Sequence, residues 1–211
     1  MELSGYAMAR YPLTVAQFRV FAEETGLELD ESWRSVNRFD NHPVVEVSWQ
    51  DAKAYCEWLS AQFDQGGESW FFTLPTEAQW EKAALGGDGR IYPWGDAPDP
   101  GVANYVETGI GATTPVGCFP SGMSPYGIKD LAGNVFEWCL DDKRRYAKGK
   151  AIDPHGEGRN RVFRGGAWSV SARDCRAACR GWGDPDKRGR GLGFRLVRLQ
   201  GQTVKQGRGR T

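Results

Sequence analysis

From Gly86 to Asp130 no helical period survives in the chain. Gly, Pro, Asn, Thr and Ser dominate this stretch, and short strands are the most that can interrupt it. Irregular segments of this length are uncommon in compact domains, because their backbone polar groups must find partners elsewhere. Such a segment is usually functional or tied down by something else. The length of 211 residues suits one domain, or two at most, and 40% hydrophobic residues argues against wholesale disorder. Nine Trp give a few elements large faces to bury, and 28 Gly imply many tight turns.

Three helices flank the segment on its N-terminal side. Thr14 with Gln17 forms a capping box, followed by Val15, Phe18 and Phe21 on one face and Gly26 as the stop. Ser48 with Asp51 starts a second, with Ala52, Tyr55 and Leu59 inward. Thr76 with Gln79 starts a third, with Trp80 and Ala83 inward and Gly86-Gly87 at its end. On the C-terminal side, Leu131 to Leu140 is apolar enough to be buried, and Lys143 to Gly158 reads as a polar loop. Arg161 to Trp168 and Leu192 to Leu199 read as strands, with Phe194 and Leu196 sharing a face. Gln200 to Thr211 has no apolar residues to anchor it and reads as a frayed tail, which leaves 1–199 as one α+β domain.

The net charge is zero but unevenly spread. Residues 1–142 hold 8 Lys+Arg and 22 Asp+Glu, and residues 143–211 hold 19 and 5, so the two parts carry −14 and +14. A nucleic-acid surface is one explanation. The favoured one is that C-terminal arginines pair with carboxylates of the first part, because Arg set among Gly, Trp and Ala suits fixed bidentate pairing. Five Cys at irregular spacing do not make a disulfide framework, and Cys175 with Cys179 lacks the second pair a zinc site needs, so buried single thiols are expected. No run of about 18 apolar residues is present to cross a membrane. Met1 to Arg10 does not resemble a signal peptide, which says nothing of a longer precursor.

Six blocks then occur in order: "RYPLTVAQFRVFAEETG", "HPVVEVSWQDAKAYCEWLS", "FTLPTEAQWEKAA", "YPWGD", "YGIKDLAGNVFEW" and "RVFRGGAW…GFRL". Together they resemble the formylglycine-generating-enzyme, or sulfatase-modifying-factor, domain. The resemblance implies a Gly- and Trp-rich variant of the C-type lectin fold with much irregular structure. It implies an oxidase in the catalytic members, where two Cys five residues apart follow the "RGG" strand and bind copper. Soft thiolates are what Cu(I) requires. Aligned on Arg164-Gly165-Gly166, the second thiol falls at Cys175 and the first at Val170, which cannot bind copper. A second enzymatic branch uses iron held by three His, and this chain has only His42 and His155. His42 is expected to be structural. A metal-dependent oxidase, or a structural member of the family, thus stands as the alternative to a non-catalytic binding protein.

Residues 162–197 have a further peculiarity. A frame of Arg164 to Trp168, Ala172-Arg173, Cys175 to Ala178, Arg180, Pro185-Asp186, Arg188 and Leu192 to Arg195 alternates with small, heterogeneous residues. The interruptions are Ser169, Val170, Ser171, Asp174, Cys179, Gly181, Trp182, Gly183, Asp184, Lys187, Gly189, Arg190 and Gly191. This layout resembles the variable region of diversity-generating-retroelement variable proteins, in which template asparagine codons are mutated at their adenines. An AAC codon so mutated can give most amino acids, Ser, Val, Asp, Cys, Gly and Arg among them, but not Trp or Lys. AAG codons account for Trp182 and for Lys187, the latter unmutated. The resemblance implies a ligand-binding protein displayed on cells or virions, including those of prophages, that acts as a monomer on an unknown protein or surface ligand. Ser, Gly and Asp supply adaptable hydrogen bonds, and Trp182 and Arg190 are the candidate anchors.

In "YGIKDLAGNVFEW" the family's structural calcium loop maps onto Asp130 and Glu137 by side chain and Gly133 and Val135 by carbonyl, a donor set that suits Ca²⁺. Pairing of Glu137 with a frame arginine is the rival, and no other cofactor is implied. Gly109 to Thr114 lacks the Lys and the helix of a phosphate loop. Asp141-Asp142 reads as a solvated turn or an arginine's partner rather than an acid/base pair.

Overall fold

The computed structural model describes residues 5–63, 70–143 and 160–200. The elements run β1 (Ala7–Met8), α1 (Val15–Thr25), α2 (Glu31–Val36), α3 (Trp49–Phe63), β2 (Trp70–Thr73), α4 (Glu77–Leu85), β3 (Phe136–Asp142), β4 (Arg161–Arg164), β5 (Arg180–Gly183), β6 (Leu192–Gly193) and β7 (Val197–Gln200). The expected loop after Lys143 falls mostly, and the expected tail after Gln200 entirely, outside the described residues, as does His155.

The three helices with start signals form where those signals put them. Thr14 and Thr76 each accept from the backbone three residues on, and Gln17 and Gln79 reach back to complete both capping boxes. Ser48 and Asp51 exchange the equivalent pair of bonds at 2.7 and 3.1 Å. Such caps contribute about 1 kcal/mol each. Helix α2 was not expected from the sequence. It is six residues long, buries Trp33 alone and starts on the Asp30 carboxylate.

Strands β5, β4, β3 and β6 form one sheet in that order, and β1, β7 and β2 form a second. Alternation along the four-stranded sheet divides the core. Trp138, Leu140 and Phe163 face the layer of α1 and α3, where Phe18, Phe21, Tyr55 and Phe194 form one aromatic cluster. Cys139 and Val162 face α4 and its fully buried Trp80.

Two strand expectations need correction. The run from Arg161 to Trp168 is a strand only to Arg164, because Gly165 and Gly166 follow at φ +98° and +76°, which ends the extended ladder. The run from Leu192 to Leu199 is split. Leu192-Gly193 pairs with β3 in parallel, and Val197–Gln200 crosses to β1 and β2 in the other sheet. Between them, Phe194 and Leu196 share the main core as expected. Asp141 and Asp142 are buried strand residues and not a solvated turn.

The Gly86–Asp130 segment holds two single-turn 3₁₀ helices at Val106–Thr108 and Pro120–Gly122 and, in place of a strand, a single antiparallel bridge between Tyr92 and Gly95. It is held from both sides. The Lys129 N–H donates to Arg10 O, Asn134 N–H to Asn104 O, and Val106 N–H to Val170 O, at 2.7 to 2.9 Å. His42 joins in structurally, its ring 2.9 Å from the Thr113 hydroxyl.

Candidate functional site

The region after β4 is shaped by close backbone approach. A Cβ on Gly166 would lie 2.4 Å from Cys175 Sγ, so glycine is what lets the 3₁₀ turn Ala172–Cys175 seat against the end of the strand. The Glu107 carboxylate accepts the Ala172 N–H at 3.1 Å and ties this turn to the irregular segment.

Cys175 is fully buried in a pocket of Tyr92, Ala103, Tyr105, Ala132 and Ala172, and Val170 packs against the same cluster. Burial pushes the Cys175 thiol up to about 12. A thiol so raised is protonated at neutral pH and is a poor nucleophile. Cys179 is engaged elsewhere, its sulfur 3.2 Å from Arg173 O and 3.5 Å from the Arg176 guanidinium. All five cysteines are free thiols. Among the described residues, no three or more His, Cys, Asp or Glu side chains gather to hold a metal.

Frame arginines hold the scaffold by pairing with the first part of the chain. Glu77 on α4 receives both Arg164 and Arg180, and Arg164 also reaches Glu81. Arg164 further donates to the carbonyls of Ala178 and Cys179, both at 3.1 Å, which fixes the loop before β5. Arg188 binds Asp51 at 2.6 Å and the Glu46 carbonyl at 2.9 Å. Arg195 has no exposed side-chain surface and binds Glu137 at 2.6 Å through two nitrogens. The opposite charges of the two parts are thus matched at four arginines, Arg164 and Arg195 inside the fold, Arg180 half-buried and Arg188 at the surface.

The proposed calcium donors do not fit a cation. Glu137 has both oxygens committed, Oε1 to Arg195 and Oε2 to Arg195 and the Trp80 indole N–H at 2.6 and 2.7 Å. Arg195 also donates to the carbonyls of Lys129 and Asp130. The Gly133 carbonyl accepts from Val135 N–H at 2.8 Å, and Asp130 Oδ2 from Gly117 N–H at 2.6 Å. A Ca²⁺ here would meet the guanidinium of Arg195.

The interruptions occupy the outside of this scaffold. Ser169, Asp174, Trp182, Asp184, Lys187 and Arg190 are exposed; Val170, Ser171, Cys179, Gly181, Gly189 and Gly191 are half-buried; only Gly183 is buried. They form three neighbourhoods. Ser169, Arg190 and Gly191 surround Trp168, whose indole donates to Arg190 O at 3.2 Å. Ser171, Asp174 and Cys179 lie at the 3₁₀ turn, with Ser171 Oγ 3.2 Å from Asp174. Trp182, on edge strand β5, is 47% exposed with the Lys143 ammonium 3.8 Å from its ring centroid, and Lys187 lies near Gly183. The scaffold adds an exposed apolar residue that the sequence did not mark, Val106, bonded by its N–H to the Val170 carbonyl.

Residues 1–200 match the family model described as the sulfatase-modifying factor enzyme 1-like domain. The chain belongs to that family. Members similar to it include the formylglycine-generating enzyme of Streptomyces coelicolor, 40% identical over an alignment of 179 residues that covers 74% of this chain. The chain spans only 52% of that enzyme's length. Among solved structures, Treponema denticola variable protein 1 superposes with a TM-score of 0.77 at 26% identity, over 93% of this chain and 85% of that one. PvdO from Pseudomonas aeruginosa gives 0.76 at 26% identity, over 92% and 80%. The fold is the mixed helix-and-sheet, C-type-lectin-like one, with much irregular structure, that the family resemblance implied.

Proposed function

We propose that this chain is a non-catalytic display protein of the diversity-generating-retroelement kind, whose specificity is set by Ser169, Val170, Ser171, Asp174, Cys179, Gly181, Trp182, Gly183, Asp184, Lys187, Gly189, Arg190 and Gly191. The carrying observation is the split between frame and interruptions. Of the thirteen interrupting positions one is buried, whereas the frame supplies the buried pairs of Arg164 and Arg195. A surface made this way can change at its exposed positions without touching the buried ion pairs of the frame. Its target is a protein or surface ligand met on a cell or virion, and it binds as a monomer. No described helix is long and apolar enough to cross a membrane. The likeness to a structure called a variable protein supports the same reading. The test is to randomise the thirteen positions together and display the library. Most members are expected to remain folded, and selection on an arbitrary protein target is expected to return binders. A library that is mostly unfolded would overturn the reading.

One observation favours a second reading, a metal-dependent oxidase: the 40% identity to a formylglycine-generating enzyme. Against it stand Val170 in place of a thiol and the raised, buried thiol of Cys175. A Cu(I) titration separates the two. Tight binding lost in Cys175→Ala, with oxygen-dependent turnover of a Cys peptide, would establish the oxidase.

A further inference from the structure

Three of the interrupting positions converge on one scaffold ring. Phe163 on β4 stands opposite Gly181 on β5. A Cβ built on Gly181 would lie 1.9, 2.5 and 2.7 Å from three atoms of the Phe163 ring. Gly181 does not have a positive φ, so its backbone accepts any residue, and the ring alone excludes a side chain. A Cβ on Gly183 would meet Lys187 Cδ at 2.7 Å and the Phe163 ring at 3.6 Å. The Lys187 ammonium is 5.1 Å from the ring centroid. The ring thus lies over two side-chain-free positions of an edge strand, with Lys187 beside it. On its other side it meets Phe136 and Trp138 edge-on, at 5.0 and 5.4 Å.

We infer that Phe163 is a positioning residue of the recognition surface, coupling positions 181, 183 and 187. With glycine at 181 the ring lies across β5 and fills the empty face. A side chain at 181 displaces the ring, which uncovers an aromatic group and moves Lys187. Position 181 then shapes the surface twice, by its own side chain and by where it sends Phe163. This rests on the reading of 181, 183 and 187 as recognition positions.

The test compares the parent with Gly181→Val, Phe163→Ala and the double variant. A parallel pair carries 4-fluorophenylalanine at position 163. Gly181→Val alone is expected to lower Tm by about 2–12 °C, the range for overpacking in a domain of this size. Added to Phe163→Ala, it is expected to change Tm by less than about 2 °C, because the obstructing ring is gone. The fluorine resonance is expected to shift and become sensitive to H₂O/D₂O exchange in Gly181→Val. Additive Tm losses, or an unmoved and solvent-insensitive resonance, overturn the proposal. If Gly181→Val does not fold but the double variant does, the ring is the obstacle and the proposal stands; if neither folds, it falls. A failed display library would remove the recognition reading and leave this coupling intact, whereas additive losses would remove only the coupling.

Discussion

Replacing Glu137 by Gln removes the carboxylate that faces Arg195 while keeping the shape of the side chain. Neither group has side-chain surface exposed to water. The neutral bonds from Arg195 to the carbonyls of Ala9 and Lys129 survive, but the guanidinium is left buried without its counter-charge. The Gln amide also turns an N–H toward Arg195 or toward the Trp80 indole, each of which needs an acceptor. Breaking a buried ion pair from one side costs about 3–5 kcal/mol. At about 2–4 °C per kcal/mol for a domain of this size, Tm should fall by about 6–20 °C. Thermal unfolding followed by circular dichroism, with urea titration as a check on two-state behaviour, measures it. The same scans with calcium and with EDTA should coincide for the parent, because Arg195 stands where the cation would be. A loss below about 1 kcal/mol would refute the argument that this pair clamps the scaffold, since that is the scale of an exposed pair. A drop in the parent's Tm with EDTA would refute the argument against calcium.

Asp141→Asn should stabilise the protein in a pH-dependent way. Burial raises the Asp141 carboxyl above its ordinary pKa, so the ionised form costs stability in the fold. That cost is absent below the unfolded value of about 4 and grows as pH rises toward the raised folded value. The Tm gain of Asp141→Asn should therefore be near zero at acid pH and largest at neutral pH, the amide oxygen keeping the bond from Glu77 N–H; a gain independent of pH would count against the assignment. Alanine at Ser169 or Arg190 should each change stability by less than about 0.5 kcal/mol in urea unfolding, as for ordinary surface sites. A thiol-reactive dye on the native protein should label exposed Cys118 quickly, and Cys56, Cys139 and Cys175 only after unfolding, as followed by mass spectrometry.

The parts of the fold legible in the sequence are those written locally. The capping boxes at Thr14 and Thr76 state both where a helix starts and which face goes in. Helix α2 escaped notice because one buried residue, Trp33, makes no period. The split of Leu192 to Leu199 between two sheets was hidden for a different reason. Alternation reports which side faces the core, and both sheets border the same core here. The charge asymmetry showed that the arginines needed internal partners. It did not show that Arg180 would find Glu77 across 103 residues, because nothing local encodes such a pairing. The frame-and-interruption pattern marked the candidate surface residue by residue. It carried no sign that Gly181 lies under the ring of Phe163, since φ and neighbouring bulk at a glycine are set by the tertiary fold.

The most direct measurement is the DNA sequence around the gene. A near-copy of the codons for residues 162–197 is expected close to a reverse-transcriptase gene, differing from them mainly at adenines. Those differences should fall on codons 169–171, 174, 179, 181–184, 187 and 189–191. A flanking region without such a copy, or a copy whose differences fall equally on the codons for Arg164, Cys175 and Arg195, would contradict it.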